Sequence, residues 1–274
     1  MKKITLLLAI CFAFQFNMHS QCPGGAPAPG YTCIPDNNLE AALVALGIDT
    51  VANDNQILNS EAAGRTSFVN LTGEGINDFT GIEAFINLTA LKVSNNPATS
   101  IDITNNVALV DFDMSSSEFA SIDLSGNASL TMLNTSYSDN LTSLDVTANV
   151  LITDIDTEEC NVLSTLDITG ITTLVNLELL DNDISTLNVS GNPNLETLNV
   201  RQNNLTVLDL SSNAALTYLN ARQNALTDLD MRNGNNANVT FFNSDFNGGL
   251  TCVFVDDATA GYLASLPWSK DANS

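Results

Sequence analysis

The chain has 274 residues, of which 31 are acidic and eight are basic, and its formal net charge at pH 7 is -23. Such an acidic surface repels nucleic acid and anionic membranes, which excludes both as expected partners. Apolar residues nevertheless make up 44% of the chain and recur periodically. The acidity therefore indicates a charged surface on a folded core and not disorder.

The first twenty residues have the form of a secretory signal peptide. Lys2 and Lys3 precede an apolar stretch over residues 4–16, and a polar exit follows. This run is about half the length of a membrane-spanning helix, and no later stretch is both long and free of charge. We therefore predict a signal peptide over 1–20, no membrane span, and a protein that is secreted or displayed at the cell surface.

Residues 21–66 are predicted to form an N-terminal cap that begins with a disulfide loop. Cys22 and Cys33 flank a stretch rich in Pro and Gly. In an oxidising compartment, a disulfide between them is the expected state. Such a bridge would tie the start of the mature chain to the cap.

A helix is predicted to follow this loop. Asp36 is placed to cap its N-terminus, and Gly47 is placed to end it. The segment NDNQIL over residues 53–58 resembles a calcium loop, but no frame gives the EF-hand ligand spacing. We predict a turn there, and a further short helical turn from Asn59.

From Leu88 onward the chain repeats a half-unit L-x-x-L-x-L-x-x-N, and two half-units make a coil of about 21 residues. Alternation within L-x-L sends apolar side chains inward and polar ones outward. The closing Asn lies at a turn, where its amide can bond backbone groups that would otherwise stay unpaired. Four half-units depart from this Asn, which predicts less regular middle coils: Ser117, Ser138, Cys160 and Ile171.

The period predicts an α/β-type leucine-rich-repeat solenoid over residues 67–253. It would be mostly parallel β, with short strands on both walls and the N-terminal helical cap at one end. A solenoid exposes apolar core at its last coil unless it is closed. Residues 254–274, with Trp268, are therefore predicted to form a C-terminal cap.

The outward positions of the second half-units repeat Ser/Thr-Asp-Ser/Thr with little variation. Aspartates on adjacent coils would stand about 5 Å apart and repel, unless hydrogen bonds or cations intervene. Calcium is therefore the cofactor that this column would hold, and no other cofactor is expected. The candidate metal ligands are Asp102, Asp123, Asp145, Asp167, Asp209 and Asp230.

The outward positions of the first half-units change at nearly every coil, as expected for a surface selected for contact. Acidic residues gather between positions 111 and 178, and aromatic and Arg residues gather toward the C-terminal end. Aromatic and Arg side chains are common interface anchors. The candidate ligand-binding residues are Asn199, Arg201, Tyr218, Asn220, Arg222 and Phe241.

Catalysis is not expected of this chain. Its one His lies within the predicted signal peptide, so the mature protein has no imidazole to act as acid, base or metal ligand. Paired carboxylates need a cleft and a raised pKa to act on glycosides. The aspartates here fall in solvated repeat columns, so we predict no enzyme and no catalytic residues.

The Asp36 helix, the GIEAFINLTAL segment from Gly81, and the LTxLNxxxNxLTxLDLSxN units resemble bacterial internalin-like leucine-rich-repeat surface proteins. The resemblance covers nearly the whole mature chain. It implies recognition of an extracellular protein or carbohydrate by the sheet face. In such proteins the TCVFVDD-like segment runs on to a later Cys, which implies a C-terminal cap truncated at Ser274.

The leading hypothesis is an exported, non-catalytic, monomeric leucine-rich-repeat protein that mediates protein or glycan binding in adhesion. One alternative is a structural surface or matrix protein stiffened by cations on the Asp column. Ice binding, suggested by the Ser and Thr columns, is weaker because charged aspartates interrupt them.

Overall fold

The computed structural model describes residue 22 and residues 27–52, 54–257 and 259–260, together with the backbone of residues 268–269. The predicted signal peptide lies outside the described residues. Within them, neither α-helix is long and apolar enough to cross a membrane.

The N-terminal cap is a small α+β unit. Strand β1 (Tyr31–Cys33) pairs antiparallel with β2 (Gln56–Leu58), and helix α1 (Asn37–Ala45) lies between them in the chain. A second short helix, α2 (Asn59–Gly64), follows β2 directly. The predicted helix and the predicted further turn from Asn59 are thus both confirmed.

The ends of α1 follow the predicted chemistry. The Asp36 carboxylate accepts hydrogen bonds from the backbone N–H groups of Asn38 and Leu39 at 2.8 and 3.1 Å. These donors would otherwise be unpaired in the first turn. Gly47 adopts a φ of +66° just past the last turn, a left-handed conformation that Gly takes without strain.

The two cysteines at the start of the cap lie together. Cys22 and Cys33 are joined as a disulfide, with their Cα atoms 5.5 Å apart. That separation lies within the ordinary range for a disulfide. The bridge places residue 22 against β1.

Beyond the cap, the chain winds as a parallel β solenoid, as predicted. One wall is a continuous ten-stranded sheet, here called the sheet wall, and each of its strands is two or three residues long. Its strands are β3 (Val69–Asn70), β4 (Ala90–Lys92), β5 (Asp111–Asp113), β6 (Met132–Asn134), β8 (Asp154–Asp156), β10 (Asn176–Glu178), β11 (Thr197–Asn199), β13 (Tyr218–Asn220), β15 (Phe241–Asn243) and β17 (Trp268–Ser269).

The opposite wall, here called the Asp wall, carries strands on only some coils. We expected strands along both walls, but the structure divides this one into a pair and a triplet. Just before the pair, the bond from Thr142 N to Ala120 O of the preceding coil is 3.5 Å long, too long for a strong ladder bond. The strands are β7 (Ser143–Asp145), β9 (Thr165–Asp167), β12 (Val207–Asp209), β14 (Asp228–Asp230) and β16 (Val253–Phe254).

Two 3₁₀ helices complete the described elements, at Ile82–Ala84 and Asn236–Asn238. The closing segment contributes to both walls. Strand β16 pairs with β14, and β17 pairs with β15. The predicted boundary between residues 253 and 254 therefore falls inside β16.

The core is a stack of the inward side chains from the middle of each strand. Register pairs align Leu91 with Phe112, Leu133 and Ile155, and the same column continues to Phe242. Each of these five side chains is at most 2% exposed. Burial of this apolar column is the main source of stability for a repeat that has few helices.

Asparagine side chains tie each coil to the one before it. The amide of Asn149 donates to the backbone carbonyls of Leu124 and Asn127 at 3.0 and 2.8 Å. The amide of Asn106 makes the same kind of bond to Ile82 and Phe85. Carbonyls buried at these turns are thus paired, which confirms the predicted role of the Asn.

The middle coils are more regular than expected. Ser138 and Cys160 replace the Asn of the sheet-wall half-units, yet the hydroxyl of Ser138 donates to Met114 O and the thiol of Cys160 to Thr135 O. An Asn at the equivalent place, Asn182, bonds the matching carbonyl. Smaller donors therefore serve the same turn, and the sheet wall continues through these coils.

Candidate binding surface

The sheet wall presents its outward side chains in straight columns because the strands pair in register. The first column joins Tyr218 to Thr197 on one side and to Phe241 on the other. Most outward residues of this wall are half-buried by their neighbours. From β4 to β15 the first column is Ala90, Asp111, Met132, Asp154, Asn176, Thr197, Tyr218 and Phe241, and the second is Lys92, Asp113, Asn134, Asp156, Glu178, Asn199, Asn220 and Asn243.

At the C-terminal end of this wall the predicted aromatic residues lie together. The rings of Tyr218 and Phe241 stack with centroids 4.5 Å apart and planes inclined by 12°. On the same two coils, the guanidinium of Arg222 lies 4.6 Å from the ring centroid of Phe246. We call these four residues the C-terminal cluster. Each pair holds a planar side chain in a fixed orientation before any partner arrives.

The arginines of this region make few polar contacts with the rest of the chain. Nε of Arg201 donates to the side-chain oxygen of Gln223 at 3.4 Å. Nε of Arg222 is buried and has no hydrogen-bond partner among the described residues. Neither Arg forms an ion pair within the described part of the chain. Both charges are therefore free to pair with an acidic group on a partner.

The two predicted asparagines have a different role from the aromatic and Arg residues. Asn199 accepts a hydrogen bond from the backbone N–H of Arg201, and Asn220 accepts one from that of Arg222. Asn199 is only 9% exposed. These amides shape the turn that presents each Arg, and Asn199 offers little surface of its own.

Phe246 was missed by the sequence analysis. It is 57% exposed and adopts a φ of +60°, which is rare for a bulky residue. The same turn position in the other sheet-wall coils holds mainly polar residues such as Gln202 and Gln223. An aromatic side chain in a polar column was the signal that could have identified it.

The middle of the sheet wall forms a shallow acidic hollow of about 330 Å³. Lys92 lies at its edge and pairs with Asp113 at 3.2 Å. The hollow is lined by Lys92, Asp111, Asp113, Met132, Leu133, Asn134, Asp154, Ile155, Asp156, Asn176 and Glu178. The acidic residues noted in the sequence thus share one surface with a single basic neighbour.

Several of these carboxylates are poorly solvated. Burial raises the pKa of Glu178, against a hydrogen bond from Asn199 that lowers it. Burial also raises the pKa of Asp111, since the charge of Lys92 only partly offsets it. Asp113 is the exception: burial acts to raise its pKa, but bonds from Ser115, Ser94 and Lys92 outweigh burial and lower it. The hollow therefore carries negative charge that the chain itself does not fully compensate.

The aspartates of the Asp wall are all bonded by neighbouring groups of the chain. Each aspartate of the column accepts a hydrogen bond from the backbone N–H two residues later, at 2.9 to 3.0 Å. The hydroxyl and N–H of Thr104 lower the pKa of Asp102, and Thr169 does the same for Asp167. No three of these carboxylates lie within reach of a single ion in the described chain. Calcium binding by this column stays a prediction.

Comparison with known protein families finds no matching family model, and comparison with curated proteins finds no match. Solved structures do match. The functional domain of InlJ from Listeria monocytogenes, described as including a cysteine ladder, is 24% identical with a TM-score of 0.55. The match covers 82% of this chain, which spans 61% of the length of that domain.

Two further structures agree. Internalin C2 from Listeria monocytogenes is 19% identical, with a TM-score of 0.55 over 89% of this chain and 99% of that one. The leucine-rich-repeat domain of APL1B is also 19% identical, with a TM-score of 0.51 over 68% of this chain and 54% of that one. The fold is therefore that of a leucine-rich-repeat solenoid. Its solved neighbours include internalins, and the predicted internalin-like architecture is confirmed at the level of fold.

Proposed function

We propose that this protein is a non-catalytic binding module that holds a protein partner on its sheet wall. The observation that carries the proposal is the contrast in how the two walls satisfy their charged groups. Acids on the Asp wall are bonded by the chain itself, whereas Glu178 and Asp111 on the sheet wall are half-buried without full compensation. A partner that supplies positive charge relieves this deficit.

The partner's chemistry follows from the layout of the wall. The acidic hollow favours a basic patch, and the C-terminal cluster favours an apolar or planar group beside an acidic one. The Tyr218–Phe241 stack is already ordered, so little conformational entropy is lost when it is covered. A folded protein surface provides both features at once, with the spacing that a row of coils requires.

A glycan is the alternative ligand. Stacked aromatic rings with polar neighbours also suit a sugar ring. A neutral glycan would leave the acidic hollow uncompensated, which is why we favour a protein. The leucine-rich-repeat fold of the solved neighbours supports a protein-binding role at the same coarse level.

We further propose that the protein acts outside the cytoplasm as a monomeric adhesion or recognition module. The predicted signal peptide over residues 1–20 supports export. The disulfide between Cys22 and Cys33 supports an oxidising compartment. Mass spectrometry of peptides released without reduction tests the bridge, and two free thiols would contradict it.

A protein and glycan array probed with the mature chain tests the proposed function. We expect protein hits whose affinity falls as salt rises, because a charged hollow contributes to association. Glycan hits alone would favour the alternative ligand. An affinity that does not change with salt would contradict a role of the acidic hollow in binding.

A further inference from the structure

The N-terminal cap gathers three carboxylates that the sheet-wall function does not use. They come from Glu40 on α1, Asp49 in the loop after α1, and Asp54 just before β2. One oxygen from each lies within 4.8 Å of the other two. Oxygens bound to one calcium ion at about 2.3–2.6 Å stand up to roughly 5 Å from each other, so these three fit around a single ion.

Two of these acids are removed from water. Glu40 and Asp49 are each only 4% exposed, although acidic side chains are rarely buried unless they are paired. No Lys or Arg forms an ion pair with any of the three within the described residues. Their negative charge is therefore uncompensated by the chain.

Backbone N–H groups orient each carboxylate through one oxygen. Oε1 of Glu40 accepts from Asp54 N at 2.7 Å and from Asn55 N at 3.0 Å. Oδ1 of Asp49 accepts from Val51 N at 3.0 Å, and Oδ1 of Asp54 accepts from Gln56 N at 3.2 Å. Within the described residues the second oxygen of each carboxylate accepts no hydrogen bond and is available to a ligand.

The independent observation is Oδ2 of Asp49. This oxygen is fully buried and has no hydrogen-bond partner among the described residues. A buried charged oxygen without a partner is unfavourable in a protein interior, and a bound cation removes that cost.

We propose that Glu40, Asp49 and Asp54 bind one divalent cation of the hard, oxygen-preferring class, with calcium as the ion that fits. The donor set consists of carboxylates alone, which disfavours zinc and copper. The donors come from a helix and an irregular loop, a flexible arrangement that suits calcium better than the strict octahedron of magnesium.

The bound ion would tie α1 to the loop that leads into β2. The same cap contacts the first coil of the solenoid. Asp36, which caps the N-terminus of α1, accepts hydrogen bonds from the backbone N–H groups of Asn77 and Asp78. Calcium would therefore fix the cap on the repeats. The site differs from the EF-hand pattern considered for residues 53–58, since two of its three ligands lie outside that segment.

Calcium titration of the full chain tests the proposal by isothermal titration calorimetry and by thermal melts in CaCl2 or EDTA. We expect one ion per chain and a higher melting temperature in millimolar calcium than in EDTA. Asp49→Asn and Asp54→Asn should each weaken calcium binding at least ten-fold. The control Asp139→Asn, at an exposed carboxylate outside both the cap and the Asp column, should bind within two-fold of the wild type.

The metal-free variants separate a binding role from a merely structural one. Asp49→Asn keeps the acceptor for Val51 and removes a buried charge, so in EDTA it should melt above the wild type. The proposal is overturned by no calcium response in the wild type, or by unchanged affinity in both Asn variants. Loss of binding in the Asp139→Asn control, or failure of Asp49→Asn to fold in EDTA, would overturn it as well.

Discussion

The two walls of the solenoid are built on one core and yet handle charge in opposite ways. On the Asp wall, Asp102 and Asp167 have lowered pKa values because neighbouring hydroxyl and N–H groups bond their carboxylates. On the sheet wall, burial raises the pKa of Glu178 in spite of a bond from Asn199, and burial and the neighbouring charges of Asp156 and Glu159 raise the pKa of Glu158. The chain itself compensates these carboxylates on the Asp wall. On the sheet wall, part of the negative charge is left uncompensated.

This difference indicates which features of the walls serve folding and which serve recognition. Both walls alternate inward and outward residues, and both face the same packing limits. Folding alone accounts for the repeated Asp and its local hydrogen bond. It does not account for half-buried acids beside a pre-formed aromatic stack, which we assign to partner binding.

The largest effect should come from the asparagines that hold both walls to the core. Asn106→Ala removes the donor to the buried carbonyls of Ile82 and Phe85 and leaves them unpaired. We expect a loss of about 3 kcal/mol in the free energy of unfolding, measured by denaturant titration. The control is Asn105→Ala, the exposed neighbour, which should change little. Equal losses at both positions would contradict the role of the Asn side chain.

A smaller effect of opposite sign is expected from an acid of the sheet wall. Burial raises the pKa of Glu178 in the folded state, so folding favours the protonated form. The contribution of this group to stability is lost as pH rises through the raised pKa. Glu178→Gln removes the cost of the ionised form and should raise the melting temperature at pH 7 by roughly 2 °C. The gain should vanish in acid, where the wild-type group is protonated. A variant that melts lower at pH 7 would contradict the desolvation of this wall.

The smallest effect is expected on the Asp wall. The pKa of Asp167 is lowered in the folded state, so its carboxylate stabilises the fold above the unfolded pKa of 3.8. That stabilisation is lost as pH falls through the folded pKa. Asp167→Ala should lower the melting temperature at pH 7 by only about 1 °C, because the freed N–H of Thr169 can bond water. Thermal melts at pH 7 and pH 3 should show the difference shrinking in acid. A large fall in melting temperature at pH 7 would contradict the description of this wall as a solvated surface.

Much of this architecture follows from the sequence because the repeat fixes the phase of every residue. The 21-residue coil predicts which side chains enter the core, as at Leu198 and Leu208. It also predicts the Asn ladder and the separation of the two walls. The extent of the strands on the Asp wall was overestimated, because alternation does not reveal how closely adjacent coils approach. The regularity of the middle coils was underestimated, because Ser138 and Cys160 bond the same carbonyls as an Asn.

Features that depend on contacts outside the repeat were not predictable. The position of Arg222 over Phe246 depends on two side chains at different points of neighbouring coils. The burial of Asn199 depends on how Glu178 and Arg201 pack around it. Glu40, Asp49 and Asp54 meet in a cap without periodicity, where no pattern relates a helix to the loop beyond it.

The central claim is that the sheet wall, and not the Asp wall, binds the partner. The direct test is the dissociation constant for a partner identified on the array, compared between two double variants. Tyr218→Ala/Arg222→Ala should weaken binding by about 2 kcal/mol or more, roughly thirty-fold, because it removes an aromatic and an Arg anchor. Ser143→Ala/Thr165→Ala, on the Asp wall, should leave the constant within two-fold. Weak binding by the Ser143/Thr165 variant with full binding by the Tyr218/Arg222 variant would show that the wrong wall has been assigned.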